Sequence, residues 1–244
     1  DIRPSRGLGD VYKRQWFIPA GSAPDRRADC RITPESAGWT YCGMYVFTLR
    51  AGDPVEFTLD GEEGVLVSLS AQNFTVTVDG TAFDMQGREG VFAAVSDWMY
   101  LPVGSQVAIA GTSGEVAIVT ARASQAFPVH YGSADSVAVE VRGAGRATRQ
   151  VTNYATPDSF DGAHKINVCE VITPGGNWSS WPPHRHDGIG ECVTMNEEIY
   201  YFRIGREDGP HGDPTGTGLF RLYTVDGSHD ETLSIADQDT YLVP

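Results

Sequence analysis

Apolar and polar residues alternate along most of the chain with a period of two, which is the pattern of half-buried β-strands. Turn-forming pairs interrupt the alternation, and two of them, Asp60-Gly61 and Asp79-Gly80, are typical of hairpins. The pattern predicts strands at 44–49, 55–59, 65–69, 74–78, 91–94, 107–110, 116–120, 137–141, 166–173, 183–186, 199–204, 220–224 and 240–243. We find no convincing amphipathic helix longer than about two turns.

Many short strands separated by turns favour an all-β sandwich or barrel. The strands fall into two sets, so we expect tandem double-stranded β-helix or jelly-roll barrels with little helix. The predicted halves are residues 16–140 and 141–244, joined near the strand at 137–141. The composition agrees, because 28 glycines and 14 prolines suit short strands, and 41% hydrophobic residues suffice for a core.

Both ends of the chain differ from the rest. Residues 1–15 contain four basic and two acidic residues and show neither a helix period nor a strand period. We interpret them as a non-native, adaptor-like segment. The chain stops at Pro244, directly after the predicted strand 240–243, so we expect the C-terminal half to be truncated.

Charge and cysteine content narrow the classes of partner. A formal net charge of −14 repels phosphate backbones, which argues against nucleic acid. No apolar run approaches the roughly 18 residues of a membrane span. The four cysteines form no C-x-x-C pair, and the chain shows no secretory signal peptide. We therefore expect reduced thiols in a cytoplasmic protein.

The strongest chemical signal is a pair of histidines followed by an acid. His184 and His186 are two residues apart, so on a strand both imidazoles face the same side. Glu198 opens the next predicted strand and can face the pair across a hairpin. Two imidazoles and one carboxylate form a divalent metal site with open positions for substrate. The ordinary alternative is a surface histidine pair without function, although the stiff Pro182-Pro183 favours a built site.

Longer motifs around this site resemble a known family. The stretch CEVITPGGNWSSWPPHRHD (169–187) and the following EEIYYFR (197–203) are similar to the 5-deoxy-glucuronate isomerases of inositol catabolism, which belong to the cupin superfamily. ITPESAGWTYCGMYVFTL (32–49) in the N-terminal half resembles the same family. The resemblance implies a bicupin whose metal site lies in the C-terminal half, whereas the N-terminal half has no metal motif.

The resemblance also implies the chemistry. It assigns His184, His186 and Glu198 as metal ligands, with a fourth histidine of the family expected beyond Pro244. It implies a metal-dependent aldose–ketose isomerase that converts 5-deoxy-glucuronate into 5-dehydro-2-deoxy-gluconate. The partner is then a small sugar acid, and the cofactor is a divalent metal (Zn²⁺, Mn²⁺ or Fe²⁺). A homo-oligomer is left open.

Proton transfer and substrate binding need further residues. Glu170 is the first candidate for the base, because it is an acid in an otherwise apolar run, and the alternative is a buried acid paired with an arginine. Tyr200 is two residues after Glu198 and hence on the same face, where it can position the substrate or simply pack inside the barrel. The substrate carboxylate needs a cation, and the candidates, each of which could be an ordinary surface arginine, are Arg149, Arg185 and Arg203.

Two rival functions use the same sequence features. A cupin Fe(II) dioxygenase would have the same three ligands, and oxygen uptake would distinguish it from an isomerase. A non-catalytic sugar-binding bicupin should lack the ligands or block them, and here all three are present.

Overall fold

The computed structural model describes residues 16–25, 27–188, 194–206, 209 and 212–244, so the segment 1–15 lies outside the described residues. Within them the chain is almost entirely β-structure, which confirms the all-β prediction. Among the described residues, the helices are one turn of α-helix, Pro34–Ala37 (α1), and two 3-10 turns, Ala134–Ser136 and Gly145–Ala147. The described part of the chain contains no helix with the length and apolar character needed to span a bilayer.

The strands of the first half are Cys30–Ile32 (β2), Cys42–Thr48 (β3), Val55–Thr58 (β4), Glu62–Ser68 (β5), Gln72–Val78 (β6), Thr81–Gly87 (β7), Trp98–Leu101 (β8), Gln106–Ala110 (β9), Glu115–Arg122 (β10) and His130–Gly132 (β11). They form two antiparallel sheets, one in the order β11-β8-β5-β10-β3-β2 and the other in the order β4-β9-β6-β7. The two sheets pack face to face around the largest apolar cluster, to which Leu66 and Ile118 contribute from one sheet and Val76 and Ile109 from the other.

The predicted alternation is the reason for this packing. In β6, Phe74, Val76 and Val78 are buried, whereas the two threonines between them are half-exposed. The Asp79-Gly80 turn joins β6 to β7 as the hairpin that its sequence predicts, and both residues have positive φ angles, 49° and 83°. The Asp60-Gly61 turn is different, because it leads from one sheet to the other and not between paired strands.

The part of the second half that the structure describes has three smaller sheets. Its strands are Ala138–Arg142 (β12), Arg149–Ala155 (β13), Val168–Ile172 (β14), Glu198–Tyr201 (β15), Gly218–Tyr223 (β16), Asp230–Ile235 (β17) and Thr240–Val243 (β18). β12, β13 and β14 form one antiparallel sheet, and β16 and β17 form a hairpin. The strand Phe17–Ile18 (β1) pairs with β18, which in turn pairs with β15. A short N-terminal segment thus joins a sheet of the second half. β12 spans residue 140, where we expect the boundary between the halves, and the position of that boundary stays a prediction.

Two predicted strands are wrong. Residues 91–94 form a turn in which the N–H of Ala93 donates to the carbonyl of Gly90. Residues 183–186 have no strand pairing, because Pro182 and Pro183 have no amide hydrogen to offer a neighbouring strand. The pattern also missed β1, β2, β7, β8, β11, β13 and β17. In β13, Thr152 is as fully buried as the apolar residues beside it.

Buried carboxylates fasten the two halves to each other. Glu63, in β5, has no exposed surface and accepts the backbone N–H groups of His164, Lys165 and Ile166 as well as the hydroxyl of Tyr100. These hydrogen bonds replace the ones that the carboxylate would form with water if it were exposed. The loop before β14 is therefore held at a defined place on the first half.

Candidate functional site

The two histidines lie in an extended segment that pairs briefly with the residues before β15. The N–H of Asn196 donates to the carbonyl of His186 at 2.9 Å, and Asp187 and Met195 form an isolated antiparallel bridge. Glu198 lies two residues after Asn196, at the start of β15. The histidine segment is not itself a strand.

The three predicted ligands are neighbours. The Nε2 atom of His186 is 3.6 Å from the Oε1 atom of Glu198, and the rings of His184 and His186 meet edge to face with their centroids 5.1 Å apart. His184 Nδ1 lies 3.1 Å from the carbonyl oxygen of Pro182. Among the described residues no three His, Cys, Asp or Glu side chains converge as closely as a bound cation requires.

The donor set nevertheless fits a divalent cation in its chemistry. Two neutral imidazoles and one carboxylate are ligands that Zn²⁺, Mn²⁺ and Fe²⁺ accept. The His186 and Glu198 side chains are about one third and one quarter exposed, so a small molecule can reach them from solvent. A separation of 3.6 Å between a nitrogen and an oxygen also suits two ligands of one ion, since each bond is about 2.0–2.2 Å long.

The segment that carries the histidines is anchored on the turn between β12 and β13. Arg149 donates from Nη1 to the carbonyl oxygen of Trp181 at 3.2 Å, and Asn177 donates from Nδ2 to the carbonyl oxygen of Thr148 at 2.8 Å. Arg149 is thus close to the histidine segment, and its guanidinium helps to hold that segment in place. Arg185 lies on the segment itself, exposed, with Nη1 3.4 Å from Asp187 Oδ2.

β15 presents different residues to its two sides. Glu198 and Tyr200 lie on one face, and Tyr200 packs against Phe202 and Phe220 with ring centroids 6.1 and 5.8 Å away. Burial, and then the charge of Glu198, raise the pKa of Tyr200 well above its usual value, so its hydroxyl stays protonated at neutral pH. Tyr200 therefore both packs in the barrel and offers a hydrogen-bond donor beside Glu198.

The opposite face of β15 meets the first half. Ile199 and Tyr201 pack against the apolar cluster that contains Met44. Just beyond the strand, Arg203 forms ion pairs with Glu115 at 2.7 Å and Asp237 at 3.0 Å, and its side chain is 14% exposed. These contacts favour a structural role for Arg203, because two protein carboxylates already satisfy its charge.

Glu170 is also engaged by a charge from the first half. Its two carboxylate oxygens accept hydrogen bonds from Nη1 and Nη2 of Arg88 at 3.0 and 2.5 Å. The Arg88 side chain has no exposed surface, and it donates further to the carbonyl oxygens of Ser68 and Ala94. This geometry favours the alternative that the sequence offered for Glu170, a buried acid paired with an arginine. Successive side chains of a strand point to opposite faces, so Cys169 points away from Arg88.

A residue that the sequence analysis passed over, Glu197, holds the start of β15. Its carboxylate accepts the backbone N–H groups of Thr40, Tyr41 and Cys42 at 2.7, 2.8 and 2.9 Å. The Cys42 thiol donates to the carbonyl oxygen of Glu197 at 3.1 Å. Burial, followed by the charges of Glu197 and Glu198, raises the pKa of Cys42 to about 12, so the thiol keeps the proton that it donates.

The family follows from comparison with known proteins. Residues 16–244 match the KduI/IolB family. The chain belongs to this family. The match covers every strand described above, and it includes both the histidine segment and β15.

Several curated relatives of this KduI/IolB chain carry the same name. The 5-deoxy-glucuronate isomerase of Geobacillus kaustophilus is 35% identical over 235 residues, which are 93% of this chain and 80% of the relative. The 5-deoxy-glucuronate isomerase of Lacticaseibacillus casei is 33% identical over 217 residues, covering 87% of this chain and 77% of the relative.

Solved structures agree with the fold of this KduI/IolB chain. The crystal structure of an IolB-like protein from Salmonella typhimurium superposes with a TM-score of 0.82 at 30% identity, covering 94% of this chain and 84% of that one. A variant of the Bacillus subtilis oxalate decarboxylase reaches a TM-score of 0.57 at 14% identity, covering 100% of this chain and 78% of that one. The second likeness concerns the fold alone.

One signal in the sequence could have identified Glu197. Two adjacent glutamates open a strand, and neighbours on a strand face opposite sides, so only one of them can face the histidines. The other must find donors elsewhere if it is buried. That the donors are the three amides at residues 40–42 could not be read from a segment more than 150 residues away.

Proposed function

We propose that this chain is a 5-deoxy-glucuronate isomerase, which converts 5-deoxy-glucuronate into 5-dehydro-2-deoxy-gluconate. The observation that carries the proposal is the agreement of two independent facts. Relatives with this name align over 93% of the chain, and the aligned region brings His186 and Glu198 within 3.6 Å of each other beside His184.

The proposed cofactor is a divalent metal held by His184, His186 and Glu198. Such an ion polarises a carbonyl and acidifies the neighbouring hydroxyl, as moving a carbonyl from an aldehyde carbon to its neighbour demands. The choice among Zn²⁺, Mn²⁺ and Fe²⁺ rests with measurement, because all three accept these ligands. A solved structure of the Bacillus subtilis oxalate decarboxylase is described with Mn(II) centres, which supports a divalent metal on this fold.

The side chains around the proposed ligands form two groups, those that can contact the substrate and those that are held in ion pairs with other protein groups. Tyr200 keeps its proton and can donate a hydrogen bond to a substrate oxygen beside Glu198. Arg185 is the exposed cation on the histidine segment and is our candidate for the substrate carboxylate. Arg149 holds the same segment and offers a second cation. Arg203 and Glu170 are committed to ion pairs with other protein groups, which favours structural roles for both.

We also place the reaction in the cytoplasm. Cys30, Cys42 and Cys169 are free thiols, as expected for a chain that works in a reducing compartment. The small sugar acid is the partner that the proposed activity requires.

The test combines turnover with metal content. We expect His186→Ala and Glu198→Gln to lower the conversion of 5-deoxy-glucuronate at least a hundredfold and to lower bound metal in elemental analysis. His130→Ala, which changes an exposed histidine outside the proposed site, is the matched control and should keep both. Full activity of the metal-ligand variants would refute the site. Oxygen uptake in place of aldose–ketose conversion would show a dioxygenase.

A further inference from the structure

The start of β15 contains two neighbouring glutamates with different surroundings. Glu198 lies 3.6 Å from His186, whereas the carboxylate of Glu197 is occupied by three backbone N–H groups of the first half. Because the two residues share a peptide bond, whatever fixes the backbone of Glu197 also fixes the origin of the Glu198 side chain. We infer that Glu197 is a positioning residue that sets the place of the proposed metal ligand Glu198, and this inference rests on the proposed function.

The contacts fix Glu197 at two points. Its side chain accepts hydrogen bonds from three consecutive amides, at residues 40, 41 and 42, on the first half. Its main chain accepts the thiol hydrogen of Cys42 at 3.1 Å. Hydrogen bonds to an ionised acceptor are roughly twice as strong as neutral ones. A residue held at both its carboxylate and its carbonyl cannot rotate about the strand axis, so Glu198 keeps facing the histidines.

The arrangement gives the first half a role in the chemistry of the second. The residues that hold Glu197 lie in and just before β3, which pairs with β10 and β2 in the six-stranded sheet. The histidine segment is anchored separately, on the turn between β12 and β13. The two sides of the proposed metal site are therefore carried by different parts of the fold, and Glu197 aligns one with the other.

The experiment measures metal affinity and not turnover. Purified full-length chain is stripped of metal and titrated with Zn²⁺ in competition with a chromophoric chelator, and Co²⁺ absorption reports the ligand geometry. We expect Glu197→Gln to weaken Zn²⁺ binding roughly tenfold or more and to change the Co²⁺ spectrum, because supporting groups of a metal ligand typically contribute 10- to 100-fold in affinity.

The matched control is Glu63→Gln. Glu63 also fastens the halves through three backbone amides, but the loop that it holds carries none of the proposed ligands. We expect it to lower the melting temperature as Glu197→Gln does, while Zn²⁺ affinity stays within twofold of the unchanged protein. If both variants weaken Zn²⁺ binding equally, the effect is general loosening and the inference is overturned.

A milder pair of variants covers the case in which Glu197→Gln does not fold. Cys42→Ala removes the hydrogen bond to the Glu197 carbonyl and should weaken Zn²⁺ binding about threefold, whereas Cys42→Ser retains a donor and should restore it. Unchanged affinity in Cys42→Ala would overturn the inference.

Glu198→Gln distinguishes a failure of the positioning role of Glu197 from a failure of the proposed metal site. If it weakens binding while Glu197→Gln does not, only the positioning role fails, and if it has no effect, the proposed site fails as well.

Discussion

Replacing Glu170 by glutamine removes the negative partner of a guanidinium that has no exposed surface. The neutral amide cannot balance the charge of Arg88, although its oxygen can still accept one hydrogen bond, and Arg88 keeps its hydrogen bonds to the carbonyls of Ser68 and Ala94. Breaking a buried ion pair by removing one partner costs roughly 3–5 kcal/mol. Glu170 is 19% exposed, so water can approach the uncovered charge, and we expect a loss near the lower value.

The corresponding change in melting temperature is large enough to measure. A chain of this size shifts by roughly 2–4 °C for each kcal/mol, so Glu170→Gln should melt about 6–12 °C lower. The double variant Arg88→Met/Glu170→Leu should recover most of that loss, because neither charge is then buried. We would follow unfolding by circular dichroism for Glu170→Gln and for Arg88→Met, Glu170→Leu and their double variant, and the last three form a double-mutant cycle with the unchanged protein.

The same variant tests the role of Glu170 in catalysis. A general base contributes about 100- to 10,000-fold to the rate, so its loss would lower kcat by that factor at a temperature where the variant is folded. The pairing with Arg88 predicts instead a kcat within about threefold of the unchanged protein. An unaltered melting temperature together with a hundredfold lower kcat would refute the structural assignment of Glu170.

Three further predictions follow from single contacts. Tyr200→Phe removes a protonated hydroxyl but keeps the ring, so we expect kcat to fall roughly tenfold with an unchanged melting temperature. A lower melting temperature together with the lower kcat would contradict this role. With a pKa of about 12, only about one in 10,000 Cys42 thiols is ionised at pH 8. Mass spectrometry should therefore show no alkylation of Cys42 by iodoacetamide, and rapid labelling would contradict this prediction. Gly87→Ala places a methyl group against the carbonyl oxygen of Ala71 at a φ of 64° and should cost more than about 2 kcal/mol in urea unfolding, whereas Gly80→Ala, which meets no neighbour, should cost only about 1 kcal/mol.

The alternating pattern predicted β3, β4, β5, β6, β9 and β10 of the first half, and it missed β2, β7, β8 and β11. Strands such as β6 alternate between buried and half-exposed residues, and the period of two records that directly. The pattern failed at β13, where Val151 and Thr152 are adjacent and both buried. It also failed at 183–186, where local alternation resembles a strand but two prolines prevent strand pairing.

The pairing of β1 with β18 lay beyond any local pattern. Phe17 is opposite Tyr241, and the two residues are separated by almost the whole chain. Strand order is decided by which apolar faces can cover one another once the sheets have formed. A two-residue strand carries too little alternation to be recognised alone, and only its partner makes it a strand.

Within the candidate site, the sequence alone determined the types of metal-binding side chain and their order. Two histidines lie two residues apart, and a glutamate that opens a strand follows them. Only the tertiary structure decided which acids are free to act. Glu170 and Glu197 both lie in or beside a strand next to the site, yet Arg88 occupies one and three backbone amides occupy the other. A carboxylate's chemistry depends on its partners, and here those partners come from segments about 80 to 160 residues away, which no local pattern specifies.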